Sequence, residues 1–272
     1  MQPPGGMPPK ISLPGVKYVV AVASGKGGVG KSTVAANLAL ALHAHGQRVG
    51  LLDADIYGPS VPIMMGVQDV DPRATAFPLE RHGIKLMSMG FIVPPNQAVI
   101  WRGPMVHKAV TQFLTDIDWG QLDYLVIDLP PGTGDAQLTL TQTAPLSGAV
   151  IVTTPQEVSL IDARKGLEMF NQVRVRNLGI IENMSYYQTD VGQRVHIFGH
   201  GGGQKLAASA GVPFLGEIPI DPRVAECGDS GAPIVHQYPD SPVAKAYLQL
   251  ATTVMAELKQ TQDQPPLPEL QL

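Results

Sequence analysis

Hydrophobic residues along this chain fall into short continuous runs that alternate with longer segments of helical periodicity. The runs are rich in β-branched residues and favour strands that are buried on both faces; they cover residues 18–23, 48–52, 84–87, 124–127, 149–153, 178–181 and 214–218. After the first run, Val34, Leu38 and Leu42 recur at helical spacing, and Gly46 is a suitable terminator. The same periodicity predicts helices within 155–173 and 243–258.

This alternation predicts an α/β fold, with a doubly wound, mostly parallel sheet and helices on both of its faces. Both ends of the chain are rich in Pro, whereas no Ser/Gly linker and no repeat divides the remainder. We therefore expect a flexible N-terminal arm at 1–15, a single domain at 16–259 and a disordered tail at 260–272. Ligands of such sheets bind in the loops beyond the carboxyl ends of the strands.

Composition narrows the class of protein. Of the 272 residues, 44% are hydrophobic and 15% are charged, which indicates a globular chain. The net charge of −4 argues against nucleic acid as a partner, and no apolar run reaches the length that membrane insertion needs. Cys227 is the single cysteine, so no disulfide forms within the chain. Residues 1–14 lack the pattern of a secretory or organelle signal, which favours the cytoplasm; the mitochondrial matrix is the alternative if the N-terminus is processed or incomplete.

The loop after the first strand carries the strongest chemical signal. It matches the phosphate-binding pattern G-x-x-x-x-G-K-[ST] and lies between a predicted strand and a predicted helix. Main-chain N–H groups of its glycines can turn toward phosphate oxygens, and the helix dipole adds to the attraction. Lys31 would neutralise the β- and γ-phosphates, and Ser32 would ligate Mg²⁺. The predicted ATP-binding residues here are Gly25, Lys26, Gly27, Gly28, Val29, Gly30, Lys31, Ser32 and Thr33.

Acidic residues follow two other predicted strands. Asp53 and Asp55 come after the second run, and Asp128 ends the run at 124–127. Beside a phosphate loop, such carboxylates hold Mg²⁺ or orient an attacking water, although each can instead be a helix N-cap or a turn residue. Gly132 could donate its N–H to the γ-phosphate and so distinguish ATP from ADP. The predicted Mg²⁺ ligands are Ser32, Asp53 and Asp128.

Taken together, these residues resemble the deviant Walker A group of MinD/ParA P-loop ATPases, and within it the Mrp/ApbC iron–sulfur carriers, which include mitochondrial NUBPL. The resemblance spans roughly residues 16–258. Besides the loop KGGVGKS, it is carried by 51–60 (LLDADIYGPS), 101–105 (WRGPM), 118–124 (DWGQLDY), 128–135 (DLPPGTGD), 183–185 (NMS), 196–199 (HIFG) and 218–219 (IP).

The resemblance implies a homodimer that hydrolyses ATP slowly at its interface and transfers iron–sulfur clusters, often 4Fe–4S, to apoprotein clients together with other assembly proteins. Lys26 would reach the partner's nucleotide; from the pattern alone, a solvated Lys26 is equally consistent. With Lys31 it would stabilise charge during catalysis, and Asp55 would orient the attacking water. Asp128 would be the Walker B carboxylate, and Asn183 would recognise the adenine edge.

The family's C-x-x-C motif is missing from this chain. Thr189 and Gly192 stand where its two thiolates belong, and neither residue can replace a soft thiolate ligand. Cys227 is a weak candidate for a cluster ligand, since an ordinary buried thiol is the simpler interpretation. His196 and His200 would share a face only in a helix, whereas the glycines that follow favour a loop and a structural role.

Three functions therefore compete. The first is an ATP-dependent iron–sulfur carrier or assembly factor. The second is a nucleotide-switched dimeric scaffold or regulator that has lost cluster binding. The third, a positioning ATPase that acts on membrane or DNA, ranks last because the last predicted helix carries few positive charges, among them Lys245 and Lys259.

Overall fold

An eight-stranded sheet forms the centre of the protein in the computed structural model, which describes residues 11–56, 58–67, 70, 77–91 and 103–262. Its strands are β1 (Val16–Ser24), β2 (Val49–Asp53), β3 (Leu79–Arg81), β4 (Ile84–Ser88), β5 (Leu122–Asp128), β6 (Gly148–Thr153) and β7 (Asn177–Glu182), with β10 (Phe214–Glu217). A separate hairpin is formed by β8 (Tyr187–Gln188) and β9 (Arg194–Val195). The strand order is β10-β7-β6-β1-β5-β2-β4-β3, and β3 runs antiparallel to β4 whereas the other pairs are parallel.

Helices connect the strands. They are α1 (Lys31–Ala44), α2 (Val61–Met64), α3 (Gly103–Thr115), α4 (Asp135–Thr143), α5 (Glu157–Gln172), α6 (Gly202–Ala210), α7 (Pro222–Asp229), α8 (Ile234–Gln237) and α9 (Pro242–Gln262), with a short 3₁₀ helix at Met89–Phe91. The strands β2, β6 and β7 are buried at every residue. Because successive side chains of a strand point to opposite faces, both faces of the sheet are covered. This confirms the predicted fold class.

Each predicted strand is present, with its ends moved by two residues or fewer. Patterning did not single out β3, the β8–β9 hairpin or the short helices, whose apolar runs are too brief to show a period. The last helix extends to Gln262, beyond the predicted boundary at 259, and the Ile11 N–H donates to the Thr143 carbonyl within the predicted arm. Tyr57 and the Trp101–Arg102 pair belong to segments that carry the family resemblance, and they lie outside the described residues.

Strand register brings the acidic residues together. In the parallel pair of β2 and β5, Asp53 lies directly opposite Asp128, and β1 places Val22 beside Asp128 on the other side. The phosphate loop leaves β1 two residues later, so it begins next to both carboxylates. Within the described part of the chain, no helix combines the length and the apolar character that crossing a bilayer requires.

Candidate functional site

The phosphate loop is held by two contacts that require glycine. A Cβ atom on Gly25 would lie 2.1 Å from the main-chain carbon of Asp162 in α5, so the loop packs directly on that helix. Gly30 has φ 79° and precedes α1, and a Cβ there would lie 2.4 Å from Nδ2 of Asn183. Gly28 also has positive φ (81°), a conformation that side chains disfavour. The sequence pattern is therefore explained by backbone geometry as well as by phosphate chemistry.

Lys31 lies at the centre of a buried charge cluster. Its Nζ atom is 2.5 Å from Oδ1 of Asp128 and 3.6 Å from Oδ2 of Asp55. The same ammonium group donates to Oγ of Ser32 at 3.2 Å. Since the Lys31 side chain is only 6% exposed, these carboxylates supply the charge compensation that burial of an ammonium group needs. The structure thus joins three of the predicted site residues around one cation.

Asp53 is fully buried behind this cluster. It accepts hydrogen bonds from the main-chain N–H of Asp55 at 3.1 Å, from that of Val61 at 3.3 Å and from the Ser88 hydroxyl at 2.9 Å. Burial, followed by the nearby charge of Asp128, raises the pKa of Asp53 to about 8. Ser88 was not predicted, although its position at the end of a buried strand, like that of Asp53, is a signal that could have found it.

Asp128 has the features of a metal ligand. Burial raises the pKa of its carboxyl, and the Lys31 ammonium opposes that shift. While Oδ1 is paired with Lys31, Oδ2 is buried without a hydrogen-bond partner within the described residues. An unsatisfied buried oxygen beside the Ser32 hydroxyl fits a Mg²⁺ ion or one of its waters. The donor set of Ser32, Asp53 and Asp128 is oxygen throughout, as Mg²⁺ prefers.

A cavity of about 810 Å³ opens in front of the loop. It is lined by phosphate-loop residues together with Asp55. Asn183, the segment 218–221, α7 residues that include Val224, and Tyr247 of α9 also line it. The size is in the range of small-molecule sites, and the combination of cationic and apolar lining residues suits a nucleotide. Sequence patterning did not identify α7 or Tyr247 as part of this site.

Two predicted nucleotide contacts are already bonded within the protein. Nδ2 of Asn183 donates to the Val29 carbonyl at 2.8 Å, so in this arrangement the Asn183 amide braces the phosphate loop. The Gly132 N–H donates to the Ser24 carbonyl at 2.9 Å and has φ 91°. A bond from Gly132 to a γ-phosphate therefore requires the loop after β5 to exchange one acceptor for another. Their roles as nucleotide contacts therefore stay predictions, and each requires the residue to give up the hydrogen bond that it makes within the protein.

The remaining predicted residues of the loop face the same cavity. Lys26 is half-buried and lines the cavity next to Gly27. Thr33 also lines it, and the Thr33 hydroxyl contacts Sδ of Met64 at 3.7 Å. Lys26 and Lys31 thus bring two cationic side chains to the cavity.

Neither Cys227 nor the segment that lacks the C-x-x-C motif is among the residues that line the cavity. Cys227 is 3% exposed within α7, and burial raises the pKa of its thiol, which favours the protonated form over the thiolate that metals bind. Thr189 and Gly192 occupy the exposed turn between β8 and β9, where the Gly192 N–H donates to the Thr189 carbonyl. Among the described residues, no group of three or more His, Cys, Asp or Glu side chains is arranged to hold a metal ion.

Comparison with known proteins agrees with this geometry. Residues 15–255 match the family described as NUBPL iron-transfer P-loop NTPase. An iron–sulfur cluster carrier protein from Synechocystis is 52% identical over 93% of this chain and 74% of its own length. The mouse iron–sulfur cluster transfer protein NUBPL is 49% identical over 93% of this chain and 82% of its own length.

Solved structures show the same fold. The nucleotide-binding protein of Archaeoglobus fulgidus, in complex with ADP, has a TM-score of 0.72 at 40% identity and covers 86% of this chain and 92% of its own. The cell division ATPase MinD of Pyrococcus furiosus has a TM-score of 0.66 at 24% identity, covering 88% and 98% of the two chains, and is similar in fold. With a family match over nearly the whole chain and relatives near 50% identity, this chain belongs to the NUBPL family of iron-transfer P-loop NTPases.

Proposed function

We propose that this protein is an ATP-hydrolysing iron–sulfur cluster carrier or assembly factor that passes clusters to apoproteins. The observation that carries the ATPase part is the buried Lys31–Asp128–Asp55 cluster at the end of β1, with an unsatisfied carboxylate oxygen beside the Ser32 hydroxyl. The carrier part is supported by the relatives of this chain, which include an iron–sulfur cluster carrier protein and an iron–sulfur cluster transfer protein. We place the protein in the cytoplasm, with the mitochondrial matrix as the alternative.

Hydrolysis at this site uses groups that the cavity already brings together. Water attacks the γ-phosphorus, the bond from that phosphorus to the β,γ-bridging oxygen breaks, and ADP and phosphate result. Asp55, which lines the cavity, orients the water, and Lys31 stabilises the charge that develops on the phosphate oxygens. Ser32, Asp53 and Asp128 would hold Mg²⁺, directly or through its waters, and the ion would neutralise negative charge on the phosphates. We expect slow turnover, because hydrolysis in such a protein would serve to reset a conformational switch.

The active assembly is a homodimer with ATP at its interface. Lys26 is half-buried and lines the cavity, and from there its side chain would reach a nucleotide held by a second copy of the chain. The loop that contains Gly132 would change its hydrogen-bond acceptor when the γ-phosphate arrives. Closure of the two subunits and this loop movement together couple nucleotide state to the affinity for clients.

A second function is favoured by the missing thiolates. Thr189 and Gly192 replace the expected cysteines. Cys227 is buried, and burial raises the pKa of its thiol, which favours the protonated form. A chain with these residues can keep its nucleotide switch and act as a dimeric scaffold or regulator without carrying a cluster. The cluster is cargo in the first function and plays no part in the second.

Anaerobic reconstitution with iron and sulfide separates the two functions. Stable brown protein with stoichiometric iron and sulfide supports carriage, whereas colourless protein that still hydrolyses ATP supports the scaffold. The variant Thr189→Cys with Gly192→Cys is the matched positive control, because it restores the thiolate spacing in an exposed turn. Cysteine at Gly192, where φ is 81°, costs about 1–2 kcal/mol of strain, which is a small part of the about 5–15 kcal/mol typical of folded proteins. Absence of both colour and ATP hydrolysis in wild-type protein would contradict either function.

A further inference from the structure

Two histidines outside the nucleotide site lie close together on the surface. The ring centroids of His196 and His200 are 4.9 Å apart, with the ring planes tilted by 41°. Both residues are exposed, and they lie between the β8–β9 hairpin and α6. We propose that this pair binds a borderline divalent transition-metal ion, such as Zn²⁺, through one nitrogen of each ring, with water in the remaining positions.

The spacing of the rings suits two-point chelation. An imidazole nitrogen binds Zn²⁺ at about 2.0–2.1 Å, which puts the ring centroid about 3.2 Å from the ion. Two such rings at a tetrahedral angle have centroids about 5 Å apart. The observed 4.9 Å between the centroids of His196 and His200 is close to this value.

His196 is oriented as metal-binding histidines usually are. Its Nδ1 atom is 3.3 Å from the Ser185 carbonyl, an acceptor, so Nδ1 carries the proton in that hydrogen bond. Nε2 is then the nitrogen with a free lone pair. A hydrogen bond from the second ring nitrogen to a carbonyl is the common arrangement that fixes the tautomer and direction of a ligating histidine. The edge of the Tyr186 ring, 6.4 Å away between centroids, restrains the same imidazole from the side.

Backbone geometry brings His200 back over His196. The residues on either side of it, Gly199 (φ 89°) and Gly201 (φ 66°), both adopt the left-handed conformation that favours glycine. The chain therefore bends twice around His200 before α6 begins at Gly202. This bend, and not a helical i, i+4 relation, places the two imidazoles side by side.

The chemistry of the pair selects the class of ion. Imidazole suits Zn²⁺, Co²⁺, Ni²⁺ and Cu²⁺, whereas Mg²⁺ takes oxygen ligands and is directed to the carboxylates of the nucleotide cavity. Ile197 and Phe198, which lie between the two histidines in sequence, line that cavity, whereas the histidines themselves do not. This site does not depend on cluster carriage, and it stands or falls separately from the proposed function.

Zinc titration of untagged protein in excess Mg²⁺ tests the proposal. Calorimetry gives the affinity, and ¹⁵N-histidine NMR shows which imidazole nitrogens move. We expect the Nε2 signal of His196 and one ring nitrogen of His200 to shift together, with one Zn²⁺ bound per chain. In His200→Ala the affinity should fall by at least about tenfold, as loss of a ligand requires.

A second histidine contact provides the matched control. His236 packs on His82 with ring centroids 4.2 Å apart, which is closer than the about 5 Å that two zinc-bound rings need. His236→Ala should therefore leave zinc affinity unchanged. The proposal is overturned if His200→Ala binds zinc as wild type does, if the shifts occur at His43 and His45 instead, or if no histidine signal moves at millimolar zinc.

Discussion

At the scale of single residues, Lys31 compensates two carboxylates that would otherwise repel each other. Its ammonium lies between Asp128 and Asp55 at 2.5 and 3.6 Å, in a site nearly closed to solvent. Lys31→Ala should abolish ATP turnover and lower the free energy of unfolding of the nucleotide-free protein by about 3 kcal/mol, because it leaves an uncompensated buried charge. Urea denaturation with an ATPase assay measures both effects.

The double variant Lys31→Ala with Asp128→Asn is the control for this interpretation. Removing the second charge should recover part of the lost stability but none of the turnover. Equal stability of wild type and Lys31→Ala would show that the cluster does not depend on its cation.

The raised pKa of Asp53 predicts the direction in which the free energy of unfolding changes with pH. Its pKa is raised from 3.8 to about 8 in the folded chain, so between these values the folded state holds a proton that the unfolded state has lost. Stability of the nucleotide-free protein should therefore fall as pH rises, by up to about 1.4 kcal/mol per pH unit, and the penalty should be complete above pH about 8.

Comparison of wild type with Asp53→Asn measures this contribution together with the coupling of Asp53 to Asp128, because the titrating groups away from this pair largely cancel between the two proteins. Urea denaturation from pH 5 to 8 should show a flatter decline in Asp53→Asn. Parallel pH profiles would mean that Asp53 is already ionised in the folded state.

At the scale of elements, the loop after β5 can be tested at its glycines. Gly132 has φ 91° and open space around its α-carbon, so Gly132→Ala introduces strain without a clash. We expect about 1 kcal/mol lower stability and turnover reduced at least about tenfold, with ATP affinity little changed, because the strained loop must still exchange its Ser24 acceptor for phosphate.

Gly134 is the matched control in the same loop. Its φ is −80°, which any residue adopts, and its surroundings are equally open. Gly134→Ala should keep the stability and turnover of wild type. If both alanine variants behave alike in the ATPase assay, the left-handed conformation of Gly132 has no role in hydrolysis.

The elements also show how far sequence reasoning reaches. Continuous apolar runs ending in Asp53 and Asp128 were enough to predict that these carboxylates meet, since parallel strands end at one edge. Strand order depends on contacts between distant segments, which no local pattern encodes. The antiparallel β3 and the β8–β9 hairpin are local, but their strands of two or three residues are too short to show a period. For the same reason, the bond from Asn183 to the Val29 carbonyl could not be predicted, because 154 residues separate its partners.

At the scale of the whole molecule, the charge distribution around the cavity predicts a nucleotide-dependent assembly. Lys26 is half-buried and lines the cavity, whereas Lys31 is buried and paired with carboxylates. We expect the two ammonium groups to have different roles: Lys31 contacts the nucleotide of its own subunit, and Lys26 contacts the nucleotide of a second copy of the chain. The 28.9 kDa chain should then sediment with about twice its mass when a non-hydrolysable ATP analogue and Mg²⁺ are present, and as a monomer with ADP.

Lys26→Ala decides whether the assembly depends on this side chain. The variant should bind the analogue with an affinity close to that of wild type, because Lys31 and the main-chain amides remain. It should nevertheless stay monomeric in sedimentation and lose most of its turnover, since the partner's nucleotide lacks its second cation. Lys31→Ala, in contrast, should lose binding and assembly together. If Lys26→Ala lowers nucleotide affinity and turnover by the same factor, Lys26 contacts the nucleotide of its own subunit and the proposed exchange across the interface is wrong.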